Sequence, residues 1–136
     1  MTYLNYQKRS VIWTPDSYTA NSVEAVFNVA EGDVVGPIFC RTVTVFNGSG
    51  TDAIFELGDS GDVDRFLDAG ELEETSVSAA TSFVRAIGAT GGGYILYRTH
   101  LYTADDTIDV NFTANTAGTR TTGAVEITAY IAKVRP

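Results

Sequence analysis

The sequence of 136 residues is poor in the side chains on which most catalytic and metal sites depend, with one histidine and one cysteine. A disulfide needs two cysteines, so none can form within the chain, and a thiolate zinc cluster is excluded. A catalytic zinc needs about three protein ligands, and a Ser or Cys nucleophile needs a partnering base. We therefore expect that the protein is not an enzyme. His100 is expected to lie partly exposed on a strand, and Cys40 is expected to be buried in the core.

Positive charge and long apolar runs are also scarce. Nine Lys and Arg stand against seventeen Asp and Glu, which gives a formal net charge of −8. Nucleic-acid binding requires clustered basic residues, so it is not expected. No apolar run approaches the roughly 18 residues of a membrane span, and the N-terminal residues lack the apolar core of a secretory signal. We expect a protein made and folded in a cytoplasm, with no membrane partner and no cofactor.

What the sequence does have is the two-residue hydrophobic period of β-strands, from residue 23 onward. Alternation predicts strands over residues 23–30, 34–46, 51–57, 94–102, 107–113 and 124–134. Gly36-Pro37 predicts either a bulge or a short first piece of the strand at 34–46, and the Asn47-Gly-Ser-Gly turn predicts a hairpin of residues 42–46 with 52–57. Residues 72–88 fit a helical face or a strand, and a strand or irregular crossover is preferred. The predicted fold is an all-β antiparallel sandwich, jelly-roll-like.

The first 22 residues show no long period, and they are predicted to form an extended N-terminal arm or edge segment before a single sandwich domain of residues 23–136. This segment contains four aromatic residues, Tyr3, Tyr6, Trp13 and Tyr18. Aromatic side chains are frequent interface anchors, so they could pack on a neighbouring subunit. They could equally close one end of the protein's own core. Both interpretations stay open at the level of sequence.

The acidic stretch LGDSGDVDRFLDAGE, residues 57–71, is the only segment that resembles a chemical site. It fails the EF-hand pattern, which needs an Asp or Asn at the fifth position and a Gly at the sixth. A calcium site of another type, from Asp59, Asp62 and Asp64, is an alternative, as is a carboxylate pair for glycoside hydrolysis. The preferred interpretation is structural: the aspartates accept backbone N–H bonds, Arg65 offsets their charge, and the next two apolar residues enter the core.

Three pieces of the sequence together resemble a group of small virion structural proteins of tailed bacteriophages. The first is G-D-x-x-D-x-D-R-F-L at residues 58–67, and the second is a Gly-rich turn into a tyrosine strand that ends in Y-T-A-D-D-T-I-D-V, residues 91–110. The third is the terminal G-x-V-x-I-x-A-Y-I-A strand, residues 123–132. The resemblance spans about residues 40–134 and is a pattern of strands and turns rather than a catalytic motif.

This resemblance implies a non-enzymatic β-sandwich in the virion. The favoured role is that of a capsid decoration (cement) protein, which binds and stabilises the phage head. Its partners would be the major capsid protein or other virion proteins, and it would form a homo-oligomer, a trimer being favoured. A head–tail or tail position is also compatible. The alternative function is a tail or fibre module that binds host glycans through exposed aromatics such as Tyr94, Tyr97 or Tyr102.

Overall fold

The computed structural model describes residues 4–44, 46–47, 53–71, 99–114 and 120–134, and for residues 68–71 it describes the backbone only. Within these ranges every regular element is a strand, and no helix could cross a membrane. The eight strands are β1 (Gln7–Trp13), β2 (Ser22–Val29), β3 (Asp33–Thr44), β4 (Ile54–Asp59), β5 (Asp62–Glu71), β6 (His100–Leu101), β7 (Asp106–Thr113) and β8 (Ala124–Lys133).

The strands form two four-stranded antiparallel sheets. Sheet A has the order β1-β8-β3-β6, and sheet B has the order β2-β7-β4-β5. Buried and partly exposed residues alternate along most of β7 and β8, as the two-residue period predicts for strands with one wet face. The prediction of an all-β antiparallel sandwich is therefore confirmed.

Aromatic rings from both sheets meet in the centre of the core. Trp13, at the end of β1, lies 5.3 Å from Phe55 of β4 and 5.5 Å from Phe112 of β7 between ring centroids. Phe46 stacks on the indole at 6.3 Å. All four side chains are buried. Because aromatic side chains bury large apolar areas, this cluster stabilises the packing of the two sheets.

The hairpin predicted for residues 42–46 and 52–57 is wrong. β3 pairs with β8 and β6 in sheet A, whereas β4 pairs with β5 and β7 in sheet B. The chain therefore changes sheets between Thr44 and Ile54. An Asn-Gly pair in a sequence predicts a turn, but it does not say which strand will be the hydrogen-bonding partner. The β-bulge expected at Gly36-Pro37 is confirmed by a register shift between Val35 and Ile38.

The acidic stretch holds a strand that the sequence patterning did not predict. β5 occupies residues 62–71, and it forms a hairpin with β4 through a turn at Ser60-Gly61. By contrast, the uncertain segment 72–88 and most of the predicted strand 94–102 lie outside the described residues. Only the end of that strand is described, as β6.

The N-terminal segment contributes a strand to sheet A. β1 pairs with β8 over seven positions, from Gln7 opposite Ile131 to Trp13 opposite Val125. Whether residues 1–22 also reach a neighbouring subunit, as an arm would, stays a prediction.

Candidate functional site

The turn between β4 and β5 is organised by one buried carboxylate. Oδ1 of Asp59 accepts the backbone N–H groups of Gly61 and Asp62, both at 3.0 Å. Oδ2 accepts Nε of Arg65 at 2.6 Å and the hydroxyl of Tyr102 at 2.9 Å. Phe66 and Leu67, which follow Arg65, are buried in the core. The structural interpretation of this stretch is thus confirmed for its central aspartate and its arginine.

The protonation of this cluster follows from its contacts. Burial of Asp59 raises its pKa, but the hydrogen bonds from Arg65 and Tyr102, together with the Arg65 charge, outweigh burial and leave the pKa below its ordinary value. Burial raises the pKa of the Tyr102 hydroxyl well above its ordinary value, and donation to the Asp59 carboxylate raises it further. The Tyr102 phenol therefore stays a hydrogen-bond donor and the Asp59 carboxylate stays an acceptor. Such a pair holds the turn in place and is poorly suited to proton transfer.

Tyr102 connects the two sheets at this end of the sandwich. Its backbone N–H donates to the carbonyl of Asp33 at 2.8 Å, and its carbonyl accepts the N–H of Gly32 at 2.8 Å, beside sheet A. Its hydroxyl reaches Asp59 in sheet B. Sequence reasoning placed Tyr102 among possible exposed sugar contacts, but its side chain is only 4% exposed. The other two glycan candidates, Tyr94 and Tyr97, lie outside the described residues.

The histidine and the cysteine occupy separate environments. The ring of His100 packs edge-on against Tyr102 at 4.7 Å and lies 6.2 Å from Phe66. Burial lowers its pKa below 6.5, and the nearby Arg65 charge lowers it further. Cys40 lies in the core, as predicted, and burial raises the pKa of its thiol to about 12. A thiol held protonated at neutral pH is a poor nucleophile.

The calcium alternative placed Asp59, Asp62 and Asp64 around one ion. In the structure, four donors already occupy both oxygens of Asp59. Across the described part of the chain, no three His, Cys, Asp or Glu side chains converge in a way that could hold a metal ion. This geometry lends the calcium site no support.

Three of the four predicted interface aromatics can be placed. Trp13 is a core residue whose indole N–H donates to Glu24 at 2.8 Å. The half-buried Tyr18 donates its hydroxyl to the carbonyl of Gly123 at 3.0 Å. The ring of Tyr6 packs over Gly36, where an added Cβ would lie 2.8 Å from it. Tyr3 lies outside the described residues, and the interface role of the set stays a prediction.

An open groove of about 920 Å³ runs along the side where the first residues of β1 face the last residues of β2 and β8. Arg9 crosses it and donates to the carbonyl of Asn28 at 2.8 Å. Lys133, at its far side, forms an ion pair with the buried Asp33 at 3.4 Å. Both charged side chains are engaged with the protein itself: Arg9 joins sheet A to sheet B, and Lys133 pairs within sheet A. Sequence reasoning missed it because its lining residues are distant in the chain.

The two sheets differ sharply in charge, a feature that the overall charge of −8 conceals. The strands of sheet B carry nine acidic residues and one arginine, whereas those of sheet A carry two acidic and four basic residues. The acidic residues of sheet B are Glu24, Glu56, Asp59, Asp62, Asp64, Asp68, Glu71, Asp106 and Asp109. The charged residues of sheet A are Lys8, Arg9, Arg41, Lys133, Asp33 and Glu126.

The outer face of sheet A, the side turned away from sheet B, is formed by residues that alternate with the core residues of β1, β8 and β3. They are Lys8, Ser10, Ile12, Glu126, Thr128, Tyr130, Phe39 and Arg41. The corresponding outer face of sheet B includes Val23, Ala25, Glu56, Thr107, Asp109 and Asn111. The residues named for the first face mix aromatic, aliphatic and charged groups, whereas those named for the second include two carboxylates and no basic residue.

Comparison with solved structures finds the same fold in phage capsids. A chain of the cyanophage Pam1 capsid asymmetric unit matches with a TM-score of 0.60 and 20% sequence identity, over 96% of this chain and 85% of that one. A chain in the acidic stable capsid structure of Helicobacter pylori bacteriophage KHP30 matches with a TM-score of 0.57 and 12% identity, over 94% and 93%. At these identities the likeness shows a shared fold. No model of a known protein family and no curated protein matches the chain.

Proposed function

We propose that the chain is a non-enzymatic structural protein of a tailed-phage virion, and that it decorates the capsid by binding and stabilising the head. The observation that carries this proposal is the likeness of nearly the whole chain to chains of two phage capsid structures. Its partners are then the major capsid protein or other virion proteins. Its location is the virion, after assembly in the host cytoplasm.

The strand order supports this proposal independently of the structural comparisons. We assign sheet A, β1-β8-β3-β6, and sheet B, β2-β7-β4-β5, to a jelly roll, in which eight antiparallel strands wind between two four-stranded sheets. Jelly rolls are a frequent architecture of viral capsid domains, although the fold also serves other functions. The engaged carboxylate of Asp59 and the buried thiol of Cys40 agree with a role that needs no catalytic group.

The proposal is tested by mixing the purified protein with phage heads prepared without it and sedimenting the heads. We expect the protein to sediment at a saturable ratio and to raise the temperature at which the heads open. Failure to bind at micromolar concentration would contradict decoration. The mass of the protein in solution tests the homo-oligomer separately, with a trimer expected. Because removal of residues 1–22 would delete β1 and Trp13, the arm is better tested by Tyr6→Ala than by truncation.

A further inference from the structure

We propose that the outer face of sheet A is the surface through which the protein docks on the phage head, and that it meets a shell surface of negative potential with an apolar centre. This inference rests on the proposed function and adds the orientation and the chemistry of the partner. It predicts that the acidic sheet B is turned away from the shell.

The first step is the uneven distribution of charge between the sheets. With nine acidic residues and one arginine, sheet B generates a strong negative field, whereas sheet A has more basic than acidic residues. Such a charge distribution orients a protein during its diffusional approach to a charged surface. A shell of negative potential would repel sheet B and attract sheet A, so the charges favour one docking orientation.

The second step is the composition of the outer face of sheet A. Ile12 is 60% exposed at its margin. Phe39 and Tyr130 form an edge-to-face aromatic pair 6.0 Å apart, and Arg41 pairs with Glu126 at 3.3 Å. Aromatic residues and arginine are enriched in protein interfaces, where unpaired charges are depleted. No described residue forms an ion pair with Lys8, which leaves its ammonium group available to a carboxylate of the shell.

The third step is the cost of burying the alternative face. On the outer face of sheet B, Glu56 accepts a hydrogen bond from Asn111 at 2.6 Å, and Asp109 accepts one from Thr107 at 2.6 Å. No described residue forms an ion pair with either carboxylate. Removing such carboxylates from water costs more than the contacts return unless the partner supplies a well-placed cation for each. On the outer face of sheet A, Arg41 and Glu126 already form an ion pair, so among the residues named for that face only Lys8 requires a charge from the partner.

Two exposed β-branched residues provide a matched test, since each lies on an edge strand, β1 in sheet A and β2 in sheet B. Ile12 of β1 is 60% exposed and Val23 of β2 is 66% exposed, one on each sheet. Each is changed separately to aspartate, and binding to heads prepared without the protein is measured by sedimentation. We expect Ile12→Asp to weaken binding at least tenfold and Val23→Asp to change it less than about twofold. Thermal melting of each variant confirms that it is folded.

A second variant keeps the test decisive if Ile12→Asp does not fold. Lys8→Glu reverses an exposed charge on the same face, and it should weaken binding and reduce its dependence on salt. If the wild-type protein does not bind heads at all, the proposed function itself fails and the inference falls with it. If the wild type binds but Val23→Asp weakens binding more than Ile12→Asp does, or both folded face variants bind normally, the docking face is wrong while decoration stands.

Discussion

Sheet A and sheet B have the same number of strands, but they hold charge in different ways. In sheet B, the ion pair of Asp59 with Arg65 is embedded in the β4–β5 turn, where the aspartate side chain is 2% exposed. In sheet A, the pair of Arg41 with Glu126 lies on the outer face, with side-chain exposures of 55% and 33%. The same kind of ionic contact therefore holds a buried turn together in sheet B and lies exposed to solvent in sheet A. It also predicts different sensitivity to mutation in each sheet.

The largest difference should come from two glycines that make close contacts, one in a strand of each sheet. A Cβ added at Gly58 of sheet B would lie 2.1 Å from the carbonyl oxygen of Asp62 and 2.2 Å from the backbone of Val63, which cannot move without opening the hairpin. At Gly36 of sheet A the nearest atoms belong to the Tyr6 ring, which can rotate away. We expect Gly58→Ala to lower the free energy of unfolding by about 3 kcal/mol or more and Gly36→Ala by about 1 kcal/mol.

Urea unfolding of the two glycine variants measures this difference directly. Equal losses would mean that the β4–β5 turn tolerates displacement as readily as the N-terminal segment does, contrary to the tight packing described for it.

The next largest difference should come from the two arginines. Arg65→Gln leaves the Asp59 carboxylate buried without its cation, which should lower the free energy of unfolding by roughly 3 kcal/mol. This value is at the lower end for a broken buried ion pair because Arg65 is partly exposed. Arg41→Gln breaks a solvent-exposed pair and should cost about 0.5 kcal/mol or less. Chemical denaturation at neutral pH provides both values, and a loss for Arg41 as large as that for Arg65 would contradict the comparison.

The pH dependence of stability should sharpen the comparison further, because the titrating groups cluster where Tyr102 joins the sheets. The pKa of Asp59 is depressed in the folded state, so its contribution is complete above its ordinary value of 3.8 and is lost as the pH falls through the folded value. His100 also has a depressed pKa, so the folded state prefers the neutral ring, and stability should begin to fall as the pH drops below 6.5.

Substitutions separate these two steps in a series of denaturation curves from pH 8 to pH 3. His100→Gln should remove the decrease that begins near pH 6.5, and Asp59→Asn should lower stability at neutral pH while flattening the curve below about pH 4. A His100→Gln curve that follows the wild type throughout would show that another group titrates in the upper range.

Much of the fold was predictable because one-faced strands impose a clear period on the sequence. β2, β7 and β8 were located from alternation alone, and the role of Asp59 and Arg65 followed from turn chemistry. Strand partners were not predictable. The apolar residues before and after Asn47 fit a hairpin as well as they fit two strands in different sheets, and only the packing of the whole sandwich decides between them.

The parts of the site that escaped prediction depend on contacts between distant residues. Nothing local marks Tyr102 as a link between Asp33 and Asp59, since both partners lie more than 40 positions away in the sequence. The charge contrast between the sheets also stayed hidden, because it appears only after strands from both halves of the chain are assigned to one sheet or the other. Composition gives only the net charge of −8 and not its distribution between the sheets.

The most direct test of the capsid-decoration proposal is a cryo-electron microscopy reconstruction of phage heads decorated with the purified protein. We predict added density on the outside of the shell that fits the sandwich, with Ile12, Phe39 and Tyr130 of sheet A turned toward the shell and sheet B toward solvent. Heads that show no added density after incubation would contradict capsid decoration, and density fitted with sheet B against the shell would contradict the docking orientation.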